Sequence, residues 1–135
     1  MDFKNAKELF DLCQSKRLTI SEVMRQRELS ETESSPEELY TKMERVLEIM
    51  KDSASTPIQK PVTSMGGLIG GEAKRLSLNE ASGTRLCGEV LHKGITKAMA
   101  VLETNASMGL IVAAPTAGSA GIVPGFLLAL QEVYE

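Results

Sequence analysis

Tryptophan is absent from this 135-residue sequence, and two tyrosines and three phenylalanines are its only large aromatic residues. A core so poor in rings must be packed with Leu, Ile, Val, Met and Ala, which suits helices better than sheets. Cysteine occurs only as Cys13 and Cys87, too few and too far apart for a disulfide framework. Neither belongs to a C-x-x-C pair, so no metal site made by this chain alone is expected. No excess of one charge is present either: 15 basic residues face 18 acidic ones, a net charge of −3, which argues against a general nucleic-acid binder. The longest apolar run without a charge, Ala106–Gln131, matches a bilayer in length but is broken by Pro115, Pro124 and several glycines. It reads as a buried core segment with a loop, not a membrane span. No basic-then-apolar leader opens the chain, so the cytoplasm is the default location. The length allows one domain with a modest core.

What is present reads as mainly α. Asn5 with Glu8, and Thr19 with Glu22, have capping-box spacing at the start of two helices. Leu9, Phe10, Leu12 and Cys13 form an apolar stripe on the first, and Ile20, Val23, Met24 and Leu29 on the second. Ser30–Ser35 is polar and acidic and reads as a linker. Ser35-Pro36-Glu37-Glu38 is a cap, a proline at the first helical position and two acids at the positive end of the dipole. Leu39, Met43, Val46, Leu47 and Met50 recur at helical spacing to about Asp52. Residues 1–52 are therefore expected as a helical segment, and 53–135 as a second region. Ser53–Pro61, with two prolines, is expected as an extended connection. Two Gly-Gly pairs, Gly66-Gly67 and Gly70-Gly71, disfavour regular structure, and Asn79–Gly83 reads as a turn. From Thr84 to about Asn105 the pattern is helical, with Leu86, Val90, Leu91, Ala98, Met99 and Leu102 on one broad face. Gly88 and Gly94 are small positions suited to close helix contact. A glycine- and proline-rich loop follows, and Phe126–Val133 reads as the start of a further helix.

Two loops and one side chain are candidates for chemistry. Thr63 and Ser64, followed by Met65, Gly66 and Gly67, would bind a carboxylate through hydroxyls and backbone N–H groups. The same loop would serve equally as a connector. It is neither a dinucleotide fingerprint nor a Walker loop, because both the spacing and the closing Lys-Ser/Thr are missing. In Pro115–Gly125, Thr116 and Ser119 set hydroxyls beside Gly118, and Asn105 lies just before it. This stretch is the more informative one, and a binding role weighs against that of a helix-breaking connector. His92 is the only histidine; such a residue on a helix is more often a satisfied structural group than a base.

These loops, in this order, resemble the iron–sulfur-dependent L-serine dehydratases, specifically the alpha chain of the two-subunit form. The matching blocks are Ser64–Ala73 (SMGGLIGGEA), Ser82-Gly83, Ala98–Ala106, and above all Ala113–Gly125 (AAPTAGSAGIVPG). The resemblance implies a largely helical catalytic region with glycine- and proline-rich substrate-binding loops. It implies a lyase that dehydrates L-serine to an aminoacrylate, which becomes pyruvate and ammonia, in amino-acid catabolism that feeds gluconeogenesis. It implies a 4Fe-4S cluster as Lewis acid for the leaving hydroxide, and a beta chain as partner. Thr63, Ser64, Met65, Gly66 and Gly67 would then hold the serine carboxylate. Asn105, Thr116, Gly118 and Ser119 would line the other side. No residue is assigned as the α-proton base, His92 being the sole imidazole.

The sequence departs from the family at the cluster. The family's cysteines lie downstream of the Pro-Thr-Ala-Gly block, in a Gly-Cys-Gln motif and a Cys-Asp-Pro to Val-Pro-Cys motif. Neither occurs here, and Cys13 and Cys87 do not match them. The chain is accordingly expected to be an N-terminal part of the alpha chain, with no metal ligand of its own and inactive alone. Self-association through exposed apolar surface is a further expectation. Two other readings stand beside this one: a non-catalytic assembly module, and a hydro-lyase for another small hydroxy acid.

Overall fold

Three helices begin where side chains take over the orphan N–H groups of a first turn. Asn5 Oδ1 accepts the Glu8 N–H at 3.0 Å and opens α1, Ala6–Lys16. Thr19 and Glu22 cap each other reciprocally at the start of α2, Ile20–Glu31. Ser35 and Glu38 do the same for α3, Pro36–Gln59, with Glu38 N–H to Ser35 Oγ at 3.2 Å and Ser35 N–H to Glu38 Oε2 at 2.9 Å. These amide bonds hold the Glu22 and Glu38 carboxyls below their usual range. The remaining helices are α4, Glu72–Ala81, α5, Glu89–Ala106, and α6, Ile122–Tyr134; a short 3-10 turn covers Ala117–Ser119. This computed structural model describes residues 2–32, 34–81, 83, 87–114 and 116–135, and among them there is no strand. The mainly α expectation is met. Thr84, Leu86, Ser82 and Pro115, which figured in the sequence reading, lie outside the described residues.

The chain divides into two compact units, Met1–Glu44 and Arg45–Glu135. In the first, α1 packs on α2. Val23 is its fully buried apolar residue, whereas Phe10, Ile20 and Met24 of the expected stripes remain exposed. The Arg27 guanidinium lies over the Phe3 ring, 4.7 Å from its centroid, and pairs with Glu31 at 2.8 Å.

The second unit corrects several expectations. Helix α3 does not end near Asp52 but continues to Gln59, through the segment expected to be extended. Pro57 sits inside it and lacks the N–H that would bond to the Ser53 carbonyl. That carbonyl accepts the Thr104 hydroxyl of α5 at 3.0 Å instead, and Ser53, Ala54 and Pro57 are buried. A tertiary bond thus replaces the helical one. Residues 79–81, expected in a turn, close α4; among the other described residues of that stretch, Gly83, at φ +79°, has turn geometry. Helix α6 begins at Ile122, four residues before its expected start. Pro124 lies in the first turn, where a missing N–H costs no helical bond.

The buried face of α5 also differs from the expected one. Leu91 and Leu102 are each 44% exposed, while His92, Thr96, Ala100 and Glu103 are buried at helical spacing. Ala54, Val101 and Ala120 form the core, with Ile111 and Leu128 packed on it. Small residues allow this. A Cβ on Gly125 would stand 2.8 Å from Ala98 N, and one on Gly121 would stand 2.6 Å from Ala98 O. Gly94 lies just as close under the Phe126 ring. Gly94 therefore makes the close contact expected of it. Gly88 does not: it is the N-cap of α5, and a Cβ there would meet nothing within 4 Å.

An ion cluster ties α4, α5 and α6 together. Lys93 pairs with Glu132 and lies 3.4 Å from Glu80, and Lys97 reaches Glu132 at 2.9 Å. The hydrogen bond from Lys93, then that from Lys97, lowers the Glu132 carboxyl; the bond to Glu132 raises Lys93.

Two stability predictions follow from this packing. Gly125→Ala should lower stability by about 1–3 kcal/mol, because the clash is with backbone and outweighs the roughly 1 kcal/mol gain in helix propensity. Gly118→Ala, whose nearest neighbour would be 3.9 Å away, should be near neutral in the same denaturant titration. The ion cluster sets a pH window. A lowered carboxyl stabilises the fold above its unfolded-state value and loses that contribution as pH falls through its folded value. The raised lysine stabilises below its unfolded-state value and loses its contribution as pH rises through the folded one. Thermal unfolding against pH should therefore show an acid-side loss from Glu132 that Glu132→Gln removes.

Candidate functional site

The first candidate loop joins α3 to α4 and is closed by one residue. Ser64 donates its N–H to Ile69 O at 2.8 Å, accepts the Ile69 N–H on Oγ at 3.1 Å, and accepts the Gly67 N–H on its carbonyl at 2.9 Å. The hydroxyl keeps its own proton for a further acceptor. Gly70 makes the return crossing at φ +153°, where a Cβ would fall 2.3 Å from Val62 O. Only glycine fits there. Thr63, Met65, Gly66 and Gly67 are exposed, with Met65 and Leu68 at the tip. Among the described residues no hydrogen bond engages the N–H groups of Met65 and Gly66. Two open amides beside a hydroxyl form a site with the chemistry to accept a carboxylate.

The loop runs into the N-terminus of α4, which two carboxyl groups occupy. Glu72 Oε2 accepts the Gly70 N–H at 2.7 Å, and Glu72 Oε1 meets Arg75 at 3.0 Å. Glu103, from α5, accepts the Ala73 N–H on Oε1 at 2.7 Å. The Glu72 carboxyl is held below its usual range by its own backbone N–H first and by that of Gly70 next, with the Arg75 charge adding to the effect. Sequence reading overlooked both residues. Glu72 fell inside the matched block without a role. Glu103 was legible as a charge at the end of the spacing 92, 96, 100, 103, a stripe that also carries His92.

The second group gathers at the end of α5. There Met108, at φ +65°, closes a Schellman-type turn: its N–H bonds to Asn105 O at 3.1 Å and the Gly109 N–H to Thr104 O at 2.8 Å. Asn105 therefore stands on a rigid helix end. It is the only polar side chain among the described residues lining an open cleft of about 320 Å³. Gly118, Ala117, Gly121 and Ile111 share that lining. Thr116 and Ser119 belong to the same loop; their hydroxyls meet at 3.1 Å and Ser119 N–H bonds to Thr116 O at 3.2 Å. The structure thus brings Asn105 and Gly118 to one cleft, with Thr116 and Ser119 bonded to each other next to it. Thr63–Gly67 form the separate loop described above and do not line this cleft. The terminal glycine and proline of the expected loop, Pro124 and Gly125, serve helix packing instead.

His92 is buried, and its Nε2 lies 3.1 Å from Leu76 O. A carbonyl only accepts, so Nε2 carries the proton and the ring links α5 to α4. Among the described residues no three His, Cys, Asp or Glu side chains gather as a metal site. Cys13 lies in α1, Cys87 precedes α5, and both are free thiols. These residues do not form a ligand set for an iron–sulfur cluster. No described helix is long and apolar enough to cross a membrane.

The family model described as "Serine dehydratase alpha chain" matches residues 15–135. This chain belongs to that family. A serine dehydratase alpha chain of Bacillus subtilis, named as a probable L-serine dehydratase, is 41% identical over 130 residues, 96% of this chain and 43% of that protein. The L-serine dehydratase alpha chain of Peptoniphilus asaccharolyticus is 36% identical over 129 residues, 96% of this chain and 44% of that protein. An L-serine dehydratase of Helicobacter pylori is 32% identical over 133 residues and is covered to 28% of its length. The chain therefore spans less than half the length of these curated relatives. No solved structure matches it.

Ser64→Ala would remove the acceptor of the Ile69 N–H while leaving the backbone bonds of the loop. Hydrogen exchange at the Ile69 amide should then quicken by roughly tenfold, the effect of losing about one net hydrogen bond. Exchange as slow as in the parent protein would show that the hydroxyl does not close the loop.

Proposed function

We propose that this chain is the substrate-binding part of an L-serine dehydratase alpha chain, a lyase that converts L-serine to pyruvate and ammonia in the cytoplasm as a step of amino-acid catabolism. The family match over residues 15–135 carries this reading. The open amides of Met65 and Gly66, with the Ser64 hydroxyl and Thr63 beside them, support the residue roles. They would bind the serine carboxylate. The charge of that group suits backbone N–H donors held in place before the substrate arrives. Asn105 offers both a donor and an acceptor to the rest of a small polar substrate. Gly118, Thr116 and Ser119 would bound the cleft beneath it.

The 4Fe-4S cluster belongs to the proposal as a group held by residues outside this sequence. The beta chain belongs to it as a partner. Large apolar residues left exposed on α5 and α6, among them Leu91, Leu102, Ile122 and Leu127, support contact with further protein. No group of this chain is assigned to remove the α-proton. Nε2 of His92 is occupied by the Leu76 carbonyl.

The test is pyruvate formation from L-serine by the complete enzyme, prepared anaerobically. Activity that disappears on exposure to air is the expected outcome for a cluster enzyme. Asn105→Ala should raise KM for L-serine by about tenfold, as loss of a hydrogen bond to a charged group does. An oxygen-stable activity would remove the cluster from the proposal. Turnover of another hydroxy acid in preference to L-serine would replace the substrate.

A further inference from the structure

The glycine loop is a closed unit on a soft joint. Ser64 holds it from within: its N–H donates to Ile69 O, its carbonyl accepts the Gly67 N–H, and its hydroxyl accepts the Ile69 N–H. Helix α4, on the other side of the joint, is fixed to α5, because Glu103 accepts the Ala73 N–H at 2.7 Å. Between the two lie Gly70 and Gly71, at φ +153° and +85°. Consecutive glycines at positive φ restrain a chain little by themselves. Gly71 begins the helix, its carbonyl accepting the Arg75 N–H at 3.1 Å. The Gly70 N–H is taken by Glu72, whose Oε2 lies at 2.7 Å. Among the described residues no other side chain hydrogen-bonds to the backbone of this pair. The Glu72 carboxyl thus reaches back across Gly71 and ties the end of the loop to the start of the helix. The bonds from its own N–H and from that of Gly70 keep this carboxyl below its usual range, so it is ionised at neutral pH and its hold on Gly70 is charge-assisted. Arg75 meets the other oxygen at 3.0 Å, but its side chain is 70% exposed, and pairs of that kind contribute little.

We propose that Glu72 is a positioning residue: by holding the Gly70 N–H across this joint, it sets the direction in which the Ser64–Ile69 loop, with the open amides of Met65 and Gly66, leaves α4. The consequence for serine binding rests on the reading of that loop given above. Glu72 is assigned no contact with substrate; it acts through the backbone. Glutamine can replace it in kind, because its side-chain carbonyl also accepts the Gly70 N–H. Methionine has nearly the same length and no oxygen. The two substitutions together separate the hydrogen bond from the space that the side chain fills.

The experiment uses the complete enzyme carrying Glu72→Ala, Glu72→Met, Glu72→Gln or Arg75→Ala, with two measurements on each. Amide hydrogen exchange is read at Gly67, Ile69 and Gly70, and KM against kcat is read for L-serine. Glu72→Ala and Glu72→Met should quicken exchange at Gly70 by roughly tenfold and raise KM by a similar factor, with kcat changed less than about twofold. Gly67 and Ile69 should exchange as in the parent protein, because Ser64 still holds both. Glu72→Gln should stay within about threefold of the parent on both readings, and Arg75→Ala should match it. Parent-like exchange at Gly70 in Glu72→Met overturns the proposal, as does a glutamine variant that behaves like the methionine one. A loss in Arg75→Ala equal to that in Glu72→Met overturns it too, by assigning the effect to the exposed ion pair. Should Glu72→Ala not fold, Glu72→Met decides. Quickened exchange at Gly70 with an unmoved KM keeps Glu72 as the tie across the joint and removes the loop from serine binding.

Discussion

The close approach of α5 and α6 governs the second unit. Gly121 and Gly125 lie against the backbone of Ala98, and Gly94 lies under the Phe126 ring, with no room for a Cβ at any of the three. Alanines fill much of the described core: Ala54, Ala73, Ala100, Ala120 and Ala129 are all within 2% of full burial. Dispersion between closely packed backbones takes the place of the aromatic volume the sequence lacks. The same approach sets the cleft. Ala98 and Gly121, where the helices meet, line it, and Asn105 joins them from the last turn of α5.

The opposite side of α5 follows a different logic. It carries polar groups, and three of them meet a backbone group of another helix. His92 reaches the Leu76 carbonyl, Glu103 the Ala73 N–H, and Thr104 the Ser53 carbonyl that Pro57 leaves free. Buried polar groups satisfied in this way specify one register of packing, whereas an all-Leu face would tolerate several. The two loops proposed to bind substrate hang from this arrangement. One enters α4 beside Glu72 and Glu103, and the other leaves α5 after Asn105.

Family membership was legible in short blocks, since Ser64–Ala73 and Ala113–Gly125 each set glycines and hydroxyls at fixed spacing. Helix starts were legible at Asn5, Thr19 and Ser35, where a local side chain meets a local amide. The course of α3 past Asp52 was not legible. Pro57 signals an end unless a distant hydroxyl takes the freed carbonyl, and Thr104 lies far along the chain. The early start of α6 was hidden for a related reason. Glycine and proline read as loop residues, while here they make room for Ala98. The roles of Glu72 and Glu103 escaped notice because a carboxyl group in sequence looks like solvated surface.

Sequence by itself determined the helical class and the three capped starts, because each depends on residues a few positions apart. Tertiary structure alone decided which face of α5 is buried, where α3 ends and how Glu103 meets the first turn of α4. Those outcomes depend on which backbone group lies across an interface, and hydrogen-bond partners distant in sequence leave no local pattern to read.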